Sequence, residues 1–182
     1  MEYRSKTVTL KNGRTCLIRC PEEADAERMI TLLRGTAEET AFLGWEPWEV
    51  RYTLEQEREI IRRQNASERA LLLLAEVDGV HAGSANFACV KDRARFRHRC
   101  TVGTVLYQSF WGMGIGTALL GEILASAKAS GHERAELEVV STNAPAIGLY
   151  KKLGFEAAGT TPQALKYQDG TYADFLLMTK RL

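Results

Sequence analysis

The chain has 182 residues, of which 45% are hydrophobic and 26% are charged. This size and balance fit one globular domain, residues 1–182, with a sizeable core. The net charge of +1 argues against a general nucleic-acid-binding protein. No charged-then-apolar leader opens the sequence, and no apolar run approaches the roughly 18 residues of a membrane span. We therefore expect a soluble, cytoplasmic protein.

The four cysteines do not form a recognisable site. Cys16, Cys20, Cys89 and Cys100 show neither the C-x-x-C spacing of zinc sites nor the framework of a small secreted domain. The sequence thus predicts reduced thiols and no metal. A basic segment, Lys91–Arg99, is interpreted as a solvated strand edge or hairpin.

The chain opens with a predicted hairpin. Thr7–Leu10 and Thr15–Ile18 alternate as strands on either side of Asn12-Gly13, which favours a two-residue turn. A short amphipathic helix over Glu22–Arg34 follows and is predicted to stop at Gly35.

A second helix is predicted after an aromatic loop. Thr53 is a good N-cap, and the helix runs to about Asn65 with Leu54, Ile60 and Ile61 as its sparse apolar contribution. The rest of this helix is mostly charged.

Strand patterns dominate the second half of the chain. Asp78-Gly79 and Asp169-Gly170 are predicted hairpin turns. The predicted strands are Leu71–Val77, Val80–Val90, Arg95–Tyr107, Ala135–Val140, Phe155–Thr160 and Tyr172–Met178.

Between two of these strands lies a glycine cluster followed by a helical pattern. Gly112, Gly114 and Gly116 permit a tight turn and close approach to a ligand. The helix behind them ends near Ser130, with Gly131 just beyond it. Its first amides and the positive end of its dipole would meet at one point, which favours a phosphate or pyrophosphate. The crossover also makes the strand at Ala135–Val140 parallel to the one before the loop.

Two other phosphate motifs fit less well. No Gly-Lys-Ser/Thr ends the cluster, which excludes the P-loop. A dinucleotide fingerprint is nearer, with Glu136 downstream, but its third glycine is missing.

The segment STNAPAIGLYKKLGF follows the parallel strand. Asn143 is a good N-cap, Pro145 is tolerated in the first turn, and Gly154 ends a short helix. Tyr150 lies two turns beyond Asn143, on about the same face.

Together these two motifs resemble the GNAT acetyltransferase superfamily. Its acetyl-CoA signature, Arg or Gln followed by x-x-G-x-Gly/Ala, is similar to residues 111–116, WGMGIG, with Trp111 as the departure. Its second signature, an Asn leading into a helix that ends LYxKxGF, is similar to Asn143 through Phe155. The resemblance extends more loosely from about Thr7 to Met178.

The resemblance implies a GNAT-like α/β fold: about seven mostly antiparallel strands with a central splayed parallel pair, and about four helices. Acetyl-CoA would lie where the strands ending at Tyr107 and Val140 part, and Asn143 would hold its pantetheine near the thioester. The implied pantetheine and pyrophosphate contacts are the backbones of Val105, Leu106 and Tyr107 and the amides of Gly112, Met113, Gly114, Ile115, Gly116 and Thr117.

The resemblance also implies direct attack of a substrate amine on the thioester, with Tyr150 protonating the departing thiolate. A phenol with a pKa near ~10 can donate a proton without prior ionisation, which agrees with that role. By residue type alone, Tyr150 is otherwise an ordinary core aromatic. The amine must also lose a proton, which needs a proton acceptor. The candidates by residue type are Glu76, His98, Glu136 and Glu138. The alternative interpretation is that these four are ordinary solvent-exposed surface residues.

The sequence gives little information about which amine accepts the acetyl group. The tail resembles a subgroup that acetylates small amines, amino acids or peptide N-termini. The two N-terminal helices and their loop are rich in acidic residues, and the resemblance implies that this region forms one wall of the acceptor groove. Such an acidic wall would favour cationic amines, although a charged helix face is more often simply solvated. A catalytically silent acyl-CoA-binding or sensing module is the alternative, and a homodimer is included among the expectations. The acidic residues are Glu38, Glu39, Glu46, Glu49, Glu55, Glu57 and Glu59.

Overall fold

One mixed sheet organises the chain, which a computed structural model describes over residues 3–182. The strands are β1 (Lys6–Thr9), β2 (Thr15–Arg19), β3 (Ala70–Val77), β4 (Val80–Cys89), β5 (Arg99–Leu106), β6 (Arg134–Val140), β7 (Glu156–Lys166) and β8 (Tyr172–Arg181). The helices are α1 (Ala26–Glu39), α2 (Leu54–Ala66), α3 (Ile115–Ala129) and α4 (Ala144–Lys152).

The strand order across the sheet is β1-β2-β3-β4-β5-β6-β8-β7. Every neighbouring pair is antiparallel except β5 and β6, which run parallel. The predicted mixed sheet with a central parallel pair is therefore confirmed. The number of strands is eight rather than about seven, because the hairpin of β1 and β2 and the hairpin of β7 and β8 both join the same sheet.

Helices cover both faces of the sheet. Successive residues of β3 point to opposite faces, as the strand pleat requires. Leu73 belongs to the cluster that includes Leu119 and Ile123 of α3. Leu74 packs instead with Met29 of α1 and Ile61 of α2. The core thus lies mainly between α3 and the sheet, with a smaller cluster under α1 and α2.

The first helix is longer than the sequence predicts. A one-turn 3₁₀ segment, Glu23–Asp25, precedes α1, which continues through Gly35 to Glu39. Gly35 was wrongly interpreted as a stop, because its φ is not left-handed. Its missing side chain serves packing instead: a Cβ there would lie 2.8 Å from Cε1 of Tyr107.

Three smaller predictions are also wrong. The first hairpin has a three-residue loop, since Leu10 donates its N–H to the carbonyl of Arg14 across residues 11–13. The third predicted strand begins at Arg99 rather than Arg95, because residues 91–97 close turns of their own, with the N–H of Phe96 bonded to Arg93 O. Leu54 is 45% exposed rather than packed.

The caps of α2 and α4 form as predicted. Thr53 Oγ1 accepts from Gln56 N at 3.2 Å, and the Gln56 side chain returns a bond to the Thr53 amide. Asn143 Oδ1 accepts from Ala146 N at 3.2 Å. Each bond satisfies a donor that has no partner inside the helix.

The parallel pair opens along its length. β5 and β6 pair at three positions, Arg99 with Arg134, Cys100 with Ala135, and Thr101 with Glu136. Beyond these positions the two strands separate, although β5 continues to Leu106 and β6 to Val140. The sheet therefore holds a wedge-shaped gap. At the end where β5 and β6 still pair, an ion pair between Arg99 and Glu136 at 2.7 Å closes this gap.

Candidate active site

A cleft of about 800 Å³ occupies this gap and extends over the sheet face beneath α1 and α2. Two walls enclose it. We call residues 110–117 together with α4 the glycine-loop wall, and α1, α2 and their connection at residues 40–53 the helical wall. The floor is formed by strands β3 to β6.

The glycine loop is shaped by two left-handed residues. Gly112 has φ +77° and Gly114, the N-cap of α3, has φ +94°. Neither conformation is readily available to a residue with a Cβ. The predicted need for glycine at these two positions is therefore met by the backbone itself.

The amides of this loop are unpaired. No backbone N–H from Gly112 to Thr117 donates a hydrogen bond within residues 3–182, and the first helical bond runs from Ala118 N to Gly114 O. These donors lie at the positive end of the α3 dipole, which favours an anion there. Lys11, on the β1–β2 loop, donates its N–H to Met113 O at 3.3 Å and lines the same part of the cleft.

Gly116 has a different reason for its lack of a side chain. It is helical, and a Cβ would lie 3.0 Å from Leu149 Cδ2 and 3.2 Å from Leu106 Cδ1. The close approach of α3, α4 and β5 thus depends on this glycine.

The strand before the loop offers part of its backbone to the gap. Tyr107 donates its N–H to Ala82 O. Because bonding alternates along an antiparallel pair, Val105 also directs its N–H and C=O towards β4, whereas Leu106 directs them into the gap. Leu106 O accepts from the indole N–H of Trp111 at 2.9 Å. Among the three backbones expected to pair with pantetheine, only that of Leu106 therefore faces the gap.

The residues of the second motif converge on the same cleft. Asn143 uses its oxygen for capping, while its amide nitrogen has no partner in the described chain. Both Asn143 and Tyr150 line the cleft. Of the eleven residues expected to contact the cofactor, all except Tyr107 and Met113 line this cleft.

Tyr150 is buried, with 7% of its surface exposed. Its ring packs edge-on against Phe155 at a centroid distance of 5.8 Å. Burial raises the pKa of Tyr150 to about 12. The hydroxyl bonds to no group in residues 3–182, so a protonated phenol is available to whatever enters the cleft.

The structure separates the four candidate proton acceptors. Glu138 lines the cleft, and the other three do not. Burial would raise the pKa of Glu76, but hydrogen bonds from Arg19 and Arg28 outweigh it and lower the pKa. Glu136 is held by Arg99 with both carboxylate oxygens.

One carboxyl that lines the cleft, Glu57, was not among the four candidates. Glu57 lies on the first turn of α2, is 3% exposed and lines the cleft. From the sequence, Glu57 was interpreted only as one of the acidic residues of this region. The available signal was its spacing: Glu57, Ile60, Ile61 and Gln64 lie on one helix face, and Ile61 is buried.

The other acidic residues of this region lie outside the cleft, and several of them have partners elsewhere. Glu46 and Glu49 close a capping box, with Glu49 Oε2 accepting from Glu46 N at 2.8 Å. Glu55 pairs with Arg62 at 2.5 Å. Of the seven, only Glu57 lines the cleft, so the expected acidic wall reduces to one residue.

Residues 3–182 contain neither a candidate metal site nor a candidate membrane-spanning helix. No group of three or more His, Cys, Asp or Glu side chains is placed to hold a metal. No helix there is both long and apolar enough to cross a membrane. The four cysteines are free thiols.

The sequence profile of the Acetyltransferase (GNAT) family matches residues 37–155. The chain therefore belongs to this family, as its two motifs predicted.

Particular relatives share the same region. The chain is 32% identical over 113 residues to the phosphinothricin N-acetyltransferase of Streptomyces viridochromogenes, covering 61% of this chain and 60% of that protein. It is 33% identical over 111 residues to the L-amino acid N-acetyltransferase AaaT of Escherichia coli, covering 59% and 66%. The chain thus spans under two thirds of the length of these curated relatives.

A solved structure matches over nearly the whole fold. The GNAT-family acetyltransferase of Streptococcus pneumoniae superposes with a TM-score of 0.88 and 31% identity, covering 92% of this chain and 99% of that one. The ribosomal-protein-alanine N-acetyltransferase of Brucella melitensis superposes with a TM-score of 0.80 and 27% identity, covering 91% and 99%. The splayed sheet is therefore a shared feature.

Proposed function

We propose that the protein is an acetyl-CoA-dependent N-acetyltransferase that acts on a primary amine of a small molecule, amino acid or peptide. One observation carries this proposal: five of the six glycine-loop residues whose amides are unpaired within residues 3–182, and Tyr150 with its unpaired hydroxyl, line one cleft in a chain of the GNAT family. Acetyl-CoA supplies an acetyl group that is activated as a thioester.

The residues of the glycine-loop wall fit this co-substrate. The amides of Gly112 to Thr117 would bind the pyrophosphate, because their dipoles and the α3 dipole add at that point. Lys11 and Lys152, which line the same wall, would add positive charge for phosphate. The Leu106 backbone and the free amide nitrogen of Asn143 would hold the pantetheine arm, with Val105 and Tyr107 supporting the strand.

Tyr150 would act as the proton donor to the thiolate that leaves. Its raised pKa keeps the phenol protonated across the physiological range. The hydroxyl has no competing partner in the described chain, so it can turn towards the leaving sulfur.

The acceptors in the names of two relatives, phosphinothricin and L-amino acids, support a primary amine as the acceptor class here. We also retain a homodimer and a cytoplasmic location as proposals, to be checked by sedimentation velocity and by cell fractionation.

A thiol-release screen with acetyl-CoA tests the activity. Amines, amino acids, aminoglycosides and short peptides would serve as acceptors, and we expect at least one to release free CoA. Calorimetric binding of CoA without thiol release from any acceptor would instead indicate a non-catalytic acyl-CoA-binding module. Binding of NADH in place of CoA would contradict both.

A further inference from the structure

The cleft extends beyond the glycine loop to the helical wall. Its floor there is a row of paired residues across three strands, Leu72 on β3, Asn86 on β4 and Gly103 on β5. The wall above this row is mostly apolar and aromatic. Its side chains include Met29, Leu33, Phe42, Trp45 and Ile60.

Glu57 is the charged group set into this apolar wall. It is 3% exposed, yet its carboxylate has no hydrogen bond or ion pair with any residue from 3 to 182. Burial alone acts on it and raises its pKa. Burying a carboxylate without a partner is unfavourable unless something compensates it. A ligand in the cleft is the partner that the fold leaves room for.

Gln64 points to the same conclusion independently. It lies two helical turns from Glu57 on the same face of α2 and also lines the cleft. Its Oε1 atom is buried and has no hydrogen-bond partner in the described chain. The Glu57 carboxylate and Gln64 Oε1 are both acceptors without a partner in the described chain, which calls for a ligand that donates.

The charge around the cleft restricts that ligand further. Among the described residues that line the cleft, the cationic side chains are Lys11 and Lys152. Lys11 lies beside Gly114, where its Cγ is 3.8 Å from the position of a Cβ, and Lys152 is the last residue of α4. Both therefore lie at the glycine-loop wall. A carboxylate next to the acceptor amine would find no cation on the helical wall and would be repelled by Glu57.

We propose that Glu57 and Gln64 bind a cationic nitrogen of the acceptor, and that the acceptor is an amine with an apolar side chain and no free carboxylate beside the amine. This inference rests on the proposed acetyltransferase activity. It distinguishes the chain from the relatives named for free amino acids, because amino-acid amides, peptide ends or simple alkyl- and arylalkylamines would be preferred.

Matched acceptor pairs test the inference. Thiol release would be measured with phenylalaninamide against phenylalanine, and with leucinamide against leucine, for wild type, Glu57→Gln, Glu57→Asp and the control Glu59→Gln. Glu59 lies two residues away on the exposed side of α2, beside Arg62. We expect wild type to prefer the amides by at least about tenfold in kcat/KM. Glu57→Gln should raise the KM for the amides about tenfold, with partial recovery in Glu57→Asp, an unchanged affinity for CoA and no change in Glu59→Gln.

The outcomes separate the two proposals. Preference of wild type for the free amino acids, or an unchanged KM in a folded Glu57→Gln variant, would overturn this inference while leaving the acetyltransferase intact. If wild type binds CoA but releases no thiol with any acceptor, the proposed activity fails. Calorimetry of phenylalaninamide binding to the CoA complex of wild type and Glu57→Gln would then still decide the role of Glu57, because equal affinities would contradict it.

Discussion

The glycine-loop wall leaves six consecutive backbone amides unpaired, whereas the helical wall leaves unpaired the carboxylate of Glu57 and the side-chain oxygen of Gln64. Backbone donors at a helix start attract a phosphate whatever the neighbouring side chains are. Side-chain acceptors in an apolar surface select a cation with a particular shape. The glycine-loop wall therefore fits the proposed co-substrate, and the helical wall fits the proposed acceptor.

The largest effect should come from the hydroxyl of Tyr150, on the α4 part of the glycine-loop wall. Tyr150→Phe should keep CoA binding and reduce kcat by roughly 10²-fold or more, because it removes a proton donor and leaves the ring packed on Phe155. Tyr172→Phe, at a 51% exposed tyrosine, is the matched control. Since the pKa of Tyr150 is raised to about 12, its ionisation should not limit kcat below about pH 11. If Tyr150→Phe turned over at the wild-type rate, the role of Tyr150 would be packing alone.

A second effect should confine itself to the glycine-loop wall. Gly114→Val places a branched Cβ at φ +94°, so the loop must distort and the affinity for acetyl-CoA should fall at least about tenfold, or ~1.4 kcal/mol. Gly121→Ala is the control in the same helix, because a Cβ there meets no atom within 4 Å. It should keep the affinity and stabilise α3 slightly. Calorimetry that gave the same affinity for wild type and folded Gly114→Val would contradict the role of the amides.

A third effect should appear in stability rather than turnover. Burial raises the pKa of Glu57 above its ordinary value of 4.5, so the folded state favours the protonated carboxyl. The stabilisation that this provides is present below pH 4.5 and is lost as the pH rises through the folded-state pKa. Glu57→Gln should therefore match wild type near pH 4 and melt about 2–4 °C higher at pH 7 to 8, equivalent to ~1 kcal/mol.

Thermal melting of the ligand-free protein across this pH range measures the difference. A Glu57→Gln variant that melts lower than wild type at pH 8 would show that the carboxylate has a structural partner. The helical wall would then lose its distinguishing feature.

The smallest effect is expected from the exposed acidic residues. Glu46→Gln, Glu49→Gln and Glu55→Gln together should change KM for a cationic acceptor less than about twofold, because these carboxylates lie outside the cleft and screened surface charges act weakly. Comparing KM at low and high ionic strength checks this expectation. A large, salt-dependent rise in KM would restore the acidic surface as a steering element and weaken the contrast between the walls.

Sequence patterns predicted the glycine-loop wall well. Gly112 and Gly114 adopt the left-handed backbone expected of them, Asn143 caps its helix, and β5 and β6 form the parallel pair. Each of these depends on a few adjacent residues or on one crossover. The prediction failed at Gly35, whose role is to admit the ring of Tyr107, 72 residues away.

By itself, the sequence determined where the glycine loop lies, which helix follows it and where the second capped helix with its tyrosine lies, because those features depend on local backbone conformation and capping. Only the tertiary structure decided which carboxyl serves the cleft. Glu57 and Glu59 stand two residues apart on one helix, but α2 packs so that the first is buried in the cleft and the second is exposed beside Arg62. The orientation of α2 depends on contacts of Ile61 with α1 and β3, which are distant from it in the chain.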